Sequence, residues 1–232
     1  MVGNILPEGI YLISGDAVLS LIRGKTLVIG KELEKGERLS IPAGKTIPVE
    51  VEKGAEVSFE SSDLSRIQKL PERTIPGQWD KLVDRVAKEK AGTVLVLGEV
   101  DTGKTFFSTY IANRLIYKGV KVSVLDLDVG QSDIGPPGTL GLALLEKPQV
   151  FLTGIEPKEI YYVGSHSPGL HFLPTVVGFH KLTRRALSLS DVVIIDTPGW
   201  VQGDGGRALR RAEIELLTPD IIVLMQRTDE LE

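Results

Sequence analysis

Apolar positions follow two different grammars along this chain. Over residues 1–70 they come in short runs (GIYLIS, AVLSLI, TLVIG, RLSIPA, TIPVEVE, AEVSFE) with partial every-other-residue alternation. Turn residues separate the runs at 15–16, 23–25, 34–37, 43–45 and 53–55. Short strands punctuated at this rate predict a small antiparallel sandwich or barrel. Residues 71–91 change character. LPERTIPGQ reads as a linker, and WDKLVDRVAKEKAG has the spacing of an amphipathic helix with Trp79, Leu82, Val83 and Val86 in one stripe. Trp79 is read as a packing residue rather than a nucleobase contact.

From residue 92 the pattern alternates strand and helix. Continuous apolar runs at 93–98, 120–127, 192–195 and 221–225 are the mark of strands buried on both faces, as in a parallel sheet. Helix-like stretches at 104–118, 179–189 and 207–217 lie between or beside them. Where the first of these runs meets its helix, residues 98–105 read GEVDTGKT. This fits Gly-x-x-x-x-Gly-Lys-[Ser/Thr] in its required setting of strand, glycine-rich loop and helix. Such a loop wraps phosphates with backbone N–H groups, while its lysine reaches the β- and γ-phosphates and its hydroxyl ligates Mg²⁺. Gly98, Glu99, Val100, Asp101, Thr102, Gly103, Lys104, Thr105 and Phe106 are the expected nucleotide cradle. The expected fold is therefore an α/β P-loop NTPase-like domain with a mainly parallel sheet (92–232), preceded by a small all-β, sandwich-like domain (1–70) and a linker with helix (71–91).

Carboxylates follow two of the apolar runs. VSVLDLD delivers Asp126 and Asp128, and DVVIID delivers Asp196. Phosphoryl transfer needs an acid linked to Mg²⁺ and benefits from one that orients or deprotonates the attacking hydroxyl. Asp196 and Asp128 both qualify. Asp126 and Asp128 are expected to point apart, with Asp126 the more structural. Gly130 and Gln131 then give a tight turn with a polar side chain. The Gly/Pro-rich SDIGPPGTLG (132–141) is either a binding loop or a plain surface loop. Trp200, in the glycine-rich DTPGWVQG, could stack a base or serve as an apolar lid. KLTRR (181–185) and RALRR (207–211) could contact phosphates, although a solvated helix face is the simpler reading for any one arginine. His166, His171 and His180 show no metal-ligand spacing.

Composition narrows these options. The formal net charge of −4 advertises no strongly basic surface, and a nucleic-acid partner would need a local patch. The absence of cysteine excludes disulfides, thiolate–zinc sites and thiol nucleophiles. No long apolar span or leader pattern is seen, so the expectation is a soluble, cytoplasmic protein without a membrane partner.

Taken in order, GEVDTGKT, LDLDVGQ, PPGT, YYVGSHSP and DTPGWVQG resemble the polynucleotide 5′-hydroxyl kinases. That group contains the RNA kinases of mRNA 3′-end and tRNA-splicing complexes, the rRNA-processing kinases and their archaeal relatives. GKEL (30–33) is similar to the start of that family's N-terminal β-domain. The resemblance implies an ATP- and Mg²⁺-dependent transferase acting on 5′-hydroxyl RNA, with single-stranded DNA a second candidate and RNA-processing proteins as partners. It implies that Lys104 and Asp128 are catalytic, and that Thr105, Asp128 and Asp196 serve the metal. Gln131, Pro137, Gly138, Thr139 and Trp200 would hold the polynucleotide. A nucleotide-binding switch or scaffold subunit with little activity is the alternative. Family members continue into an arginine-bearing lid and a further domain, and this chain is expected to lack both, with Arg227 the nearest stand-in.

Overall fold

The computed structural model describes residues 2–90, 92–228 and 231. Positions 1, 91, 229, 230 and 232, at the ends of the expected segments, lie outside the described residues. The chain forms two compact units, Met1–Asp80 and Lys81–Glu232.

The first unit carries β1 (Val2–Leu6), β2 (Gly9–Ser14), β3 (Ala17–Arg23), β4 (Thr26–Val28), β5 (Lys31–Glu32), β6 (Arg38–Ile41), β7 (Thr46–Val51), β8 (Glu56–Ser61) and β9 (Ile67–Leu70). They make two sheets, ordered β1-β8-β3-β6 and β5-β4-β7-β2-β9, with antiparallel ladders throughout. Alternation places Leu19, Ile41, Val57 and Phe59 of one sheet and Ile13, Ile47 and Val49 of the other in the core. β1, the two-residue β5 and β9 extend the predicted set, and β1 and β9 are the longer additions. Their sequences, VGNIL and IQKL, are too short and too polar to show alternation.

Helix α1 (Gly77–Glu89) leads into the second unit, where Val83 and Val86 are buried. There β10 (Thr93–Gly98), α2 (Lys104–Tyr117), β11 (Val122–Asp126), β12 (Thr139–Leu145), β13 (Glu159–Tyr162), α3 (Phe172–Leu187), β14 (Val192–Asp196), α4 (Gly203–Leu217) and β15 (Ile221–Met225) follow. One six-stranded sheet runs β13-β12-β11-β14-β10-β15. β11, β14, β10 and β15 are parallel, and β12 and β13 are antiparallel additions at one edge.

Strand alternation assigns the two faces. Leu95, Leu97, Leu125, Leu140, Leu142, Val193 and Ile195 pack with Phe179, Leu182 and Ala186 of α3. The opposite set, Val94, Val96, Val122, Val124 and Ile194, is buried on the side where α2 lies against β10, β11 and β14. The wholly apolar strands are thus covered twice, as a parallel core requires.

Three boundaries differ from the pattern reading. TLGLALL, with its first three residues read as the end of a loop, is strand β12, because pairing with β11 overrides the helix preference of Leu and Ala. Helix α3 starts at Phe172 rather than 179. Pro174 is tolerated in a first turn, and Gly178 is needed because a Cβ there would meet the Tyr161 ring at 2.3 Å. Helix α4 starts at Gly203, within a glycine run that looks like loop.

Gly141 decides how the loop before β12 lies. A Cβ there would sit 1.7 Å from the Ile134 carbonyl oxygen, so residues 132–138 fold directly across β12. Gly141→Ala is expected to lower unfolding free energy by at least about 2 kcal/mol. Urea denaturation checks this, and an unchanged midpoint would mean the loop is not held there.

Candidate functional site

The parallel strands deliver their loops to one edge of the sheet, the place where open α/β sheets bind ligands. After β10 the chain turns through residues 99–103 into α2. Gly103 has φ +89°, and α2 has no side-chain cap, so its first N–H groups and its positive dipole end face the loop. Asp101 is also left-handed, at φ +59°. A Cβ on Gly98 would come within 2.5 Å of Met225 O and Thr102 Oγ1, so only glycine lets the loop leave the strand this closely. Lys104 is buried, and its ammonium donates to Glu99 O at 2.6 Å. Thr102 Oγ1 donates to the same oxygen at 2.9 Å. Val100 and Asp101 are exposed at the tip, with Phe106 half-buried in the first turn of the helix.

The loop after β14 packs against this one. A Cβ on Gly199 would lie 2.6 Å from Val100 N, and Gln202 Nε2 donates to Glu99 Oε1 at 3.0 Å. Thr197 Oγ1 donates to Val96 O at 2.7 Å. Asp196 ends β14 beside Asp126, its register partner on β11. Asp196 is 5% exposed, and its Oδ1 has no hydrogen-bond partner. Burial pushes its carboxyl up to about 7 against the opposing pull of the Thr105 hydroxyl, with Asp126 adding to the rise and Lys104 resisting it. Burial lowers Lys104 in turn, with Asp196 and Asp128 opposing.

Asp126 and Asp128 are not separated by strand alternation, because β11 ends at Asp126 and the chain turns before Asp128. Asp126 accepts from the N–H groups of Asp128, Asp133 and Ile134 and from Ser132 Oγ, which ties down the loop that follows. Burial nevertheless raises its carboxyl to about 6. Asp128 is half-buried, and its Oδ1 accepts from the N–H groups of Gly130 and Gln131, both at 3.0 Å. The Gln131 residue is exposed.

Pro136 and Pro137 stand exposed in front of β12, with Gly138 and Thr139 buried behind them. Gly138 N donates to Val129 O, and Gly138 O accepts from Val163 and Gly164. Trp200 is half-buried, 5.7 Å from Phe172 between ring centroids. Gly205 makes room for it, since a Cβ there would meet the indole at 2.7 Å. The predicted residues thus occupy one edge, distributed over the loops of β10, β14 and β11 and the start of β12.

Gln202 was not singled out from sequence, Arg210 only as part of RALRR, and Arg227 only as a stand-in for the lid arginine. Gln202 joins two loops. Arg227 donates a hydrogen bond to Asp101 O of the first loop. Arg210 corrects the solvated-face reading of RALRR. Arg207 and Arg211 are exposed, but Arg210 is 6% exposed and lies 2.8 Å from the fully buried Glu213. The inward spacing of Gly206, Leu209, Arg210 and Glu213 on α4 was the available signal.

The donor set suits magnesium. It offers hard oxygens only, and the buried Asp196 Oδ1 is an acceptor without a hydrogen-bond partner among the described residues. Among the described residues, no group of three or more His, Cys, Asp or Glu could hold a metal ion. A magnesium held largely by phosphates and water through one or two carboxylates needs no such cage. Among the described residues, no helix is long and apolar enough to cross a membrane.

Comparison with known proteins adds the lineage. The family model described as the mRNA cleavage and polyadenylation factor CLP1 P-loop matches residues 98–232. The chain belongs to this family. The polyribonucleotide 5′-hydroxyl-kinase of Pyrococcus horikoshii is 43% identical over 143 residues, covering 62% of this chain and 39% of its own length. The Bos taurus polyribonucleotide 5′-hydroxyl-kinase Clp1 is 27% identical over 233 residues, 90% of this chain and 53% of its own. The chain therefore spans between two fifths and about half of the length of these relatives. A solved Clp1p–Pcf11p complex superposes on 98% of this chain and 61% of that one, with a TM-score of 0.77 and 17% identity, which establishes the fold.

The raised carboxyls make a stability prediction. Asp126, Asp196 and Glu213 all have folded-state values above the ordinary carboxylate range, near 6, 7 and 7. The folded CLP1-family chain then holds more protons than the unfolded one between about pH 4 and 7, so stability must fall as pH rises through that window. Urea midpoints of the ligand-free protein should decline from pH 5 to pH 7. A flat or rising series would mean these groups are already ionised.

Proposed function

We propose that this chain carries the catalytic P-loop portion of an ATP-dependent polynucleotide 5′-hydroxyl kinase, moving the γ-phosphate of ATP to the 5′-hydroxyl of RNA. Single-stranded DNA is a second substrate of the same chemistry. The observation that carries this reading is Asp128 and its glycine turn standing at the same sheet edge as the phosphate loop, within the electrostatic reach of Lys104. The printed names of the archaeal and bovine relatives support it.

The roles follow from position. The loop N–H groups and the α2 dipole hold the β- and γ-phosphates, and Lys104 neutralises charge that grows on the bridging and γ-oxygens. Thr105, Asp196 and Asp128 would hold Mg²⁺, which when bound supplies further neutralisation of the phosphate oxygens. The 5′-oxygen attacks the γ-phosphorus in line, and the bond from that phosphorus to the β–γ bridging oxygen breaks. ADP leaves, and Asp128 orients the hydroxyl and accepts its proton. Gln131, Pro137, Gly138 and Thr139 hold the backbone of the polynucleotide, and Trp200 stacks its terminal base. The setting is an intracellular one, away from membranes.

A second reading is a nucleotide-binding scaffold with little activity. It draws on the Clp1p–Pcf11p complex, in which a protein of the same fold assembles with another protein. One assay separates the two. With γ-labelled ATP, label should appear on 5′-hydroxyl RNA and not on 5′-phosphorylated RNA, and Lys104→Ala should abolish it while circular dichroism stays unchanged. Tight binding of both ligands without transfer would favour the scaffold. For Trp200→Ala, steady-state kinetics should show a rise in KM for the oligonucleotide of about 5- to 100-fold, the range expected for loss of one stacked base. KM for ATP should move little, and equal changes in both would remove the stacking role.

A further inference from the structure

Tyr162 is 76% exposed, the most exposed large apolar or aromatic side chain of those described. It ends β13 at the same sheet edge as the phosphate loop. Its register partner on β12 is Thr139, with Leu140 opposite Tyr161 and Gly141 opposite Ile160. Paired residues share a face, so Tyr162 stands next to Thr139, with Cβ atoms about 5 Å apart. Tyr161 turns the other way, under Lys181 and Gly178 of α3. Ile160 shares the Tyr162 face and lies 3.2 Å from where a Cβ of Gly135 would be. Exposed Pro136, Pro137, Ile160 and Tyr162 thus border the loop that crosses β12.

The segment after Tyr162 joins this patch to the site. The Tyr162 ring lies 3.3 Å from a Cβ position on Gly164, His166 O lies 2.9 Å from that of Gly130, just past Asp128, and Gly169 borders Trp200. One stretch of chain therefore runs from Tyr162 past the Asp128 turn to the indole.

In-line transfer gives this edge a direction. The attacking and leaving oxygens lie on opposite sides of the moving phosphoryl group. With ATP on the loop after β10, the polynucleotide of that reaction would leave on the far side of β11, across β12 and β13. Tyr162 is two strand spacings from β11, about 10 Å. At about 3.4 Å per stacked nucleotide of a strand, that distance is some three nucleotides from the reacting end.

We infer that Tyr162 is a second stacking platform, taking a base about three nucleotides downstream of the 5′ end and making the site prefer longer single strands. This rests on the kinase reading for its direction. An exposed aromatic that stacks a base without reading its edge suits a sequence-tolerant enzyme.

The test compares a 5′-hydroxyl diribonucleotide, too short to reach Tyr162, with a 5′-hydroxyl hexaribonucleotide, using the full chain, Tyr162→Ala and Tyr162→Phe. The unsubstituted protein should favour the hexamer in kcat/KM. Tyr162→Ala should narrow that preference about tenfold, a loss typical of one stacked base. The loss should reside in KM for the hexamer, and Tyr162→Phe should keep the preference. An unchanged preference in Tyr162→Ala, or equal losses on both lengths, would overturn the inference. No transfer to either substrate by the unsubstituted protein would sink the kinase reading instead. Hexamer affinity measured by fluorescence anisotropy then decides on Tyr162 alone. A weakened Tyr162→Ala complex supports the platform, and equal affinities overturn it.

Discussion

Two carboxylates and an ammonium are held out of water together, Asp126 and Asp196 at the ends of neighbouring strands and Lys104 at the start of α2, and the rest of the second unit is arranged around keeping them there. Burying charge is costly unless it is paired or can neutralise. Here burial drives both carboxyls up and the lysine down, Lys104 and Asp196 partly offset each other, and Asp126 adds to the rise of Asp196. Asp126 recovers much of its cost by accepting several hydrogen bonds from the next loop. Asp196 has the Thr105 hydroxyl but leaves Oδ1 without a partner. A carboxylate this poorly compensated gains most from a ligand that brings positive charge with it.

The antiparallel additions β12 and β13 give that centre an orientation. A parallel sheet ending at β11 would offer the nucleotide a cradle but no floor beside it. β12 enters directly beneath the Asp126-anchored loop, and Gly141 lets Ile134 pass at contact distance. The loop that carries Asp128 is therefore fixed at both ends, by Asp126 at its start and by β12 at its close. A loop fixed in advance loses less conformational entropy when a ligand is bound on it.

Much of this was legible in the residues, and what was not had physical causes. The phosphate loop, the parallel strands and the two-part organisation follow from continuous apolar runs and glycine spacing, which report on local backbone and burial together. β12 was obscured because TLGLALL carries no local preference for a strand and is made one by its neighbour β11. The starts of α3 and α4 were obscured by Pro174 and by glycines at 203, 205 and 206, residues that signal breaks locally but are tolerated at first turns or required by Trp200. At the site, Lys104, Thr105 and Asp196 are tied to sequence by adjacency to strand ends. Gln202 and Arg210 are brought in by packing alone, and Arg227, named from sequence only as a stand-in, gains its contact with Asp101 O from the fold.

Arg210 shows what that packing adds. Paired with Glu213 on the inward face of α4 at 2.8 Å, it makes no hydrogen bond, and its guanidinium nitrogens have no other partner among the described residues. Apolar side chains of the same volume would often be as stable in such a position, and losing one partner of a buried pair typically costs about 3–5 kcal/mol. The pair is therefore poor value as a stability device. What it does provide is a positive charge, held by a helix whose start is packed on Trp200, that acts on both Lys104 and Asp128. A fixed charge in a low-dielectric interior acts over longer distances than one in water, because solvent cannot screen it. The helix that shelves the indole also shapes the field at the phosphate loop, so the two ends of the site share one support.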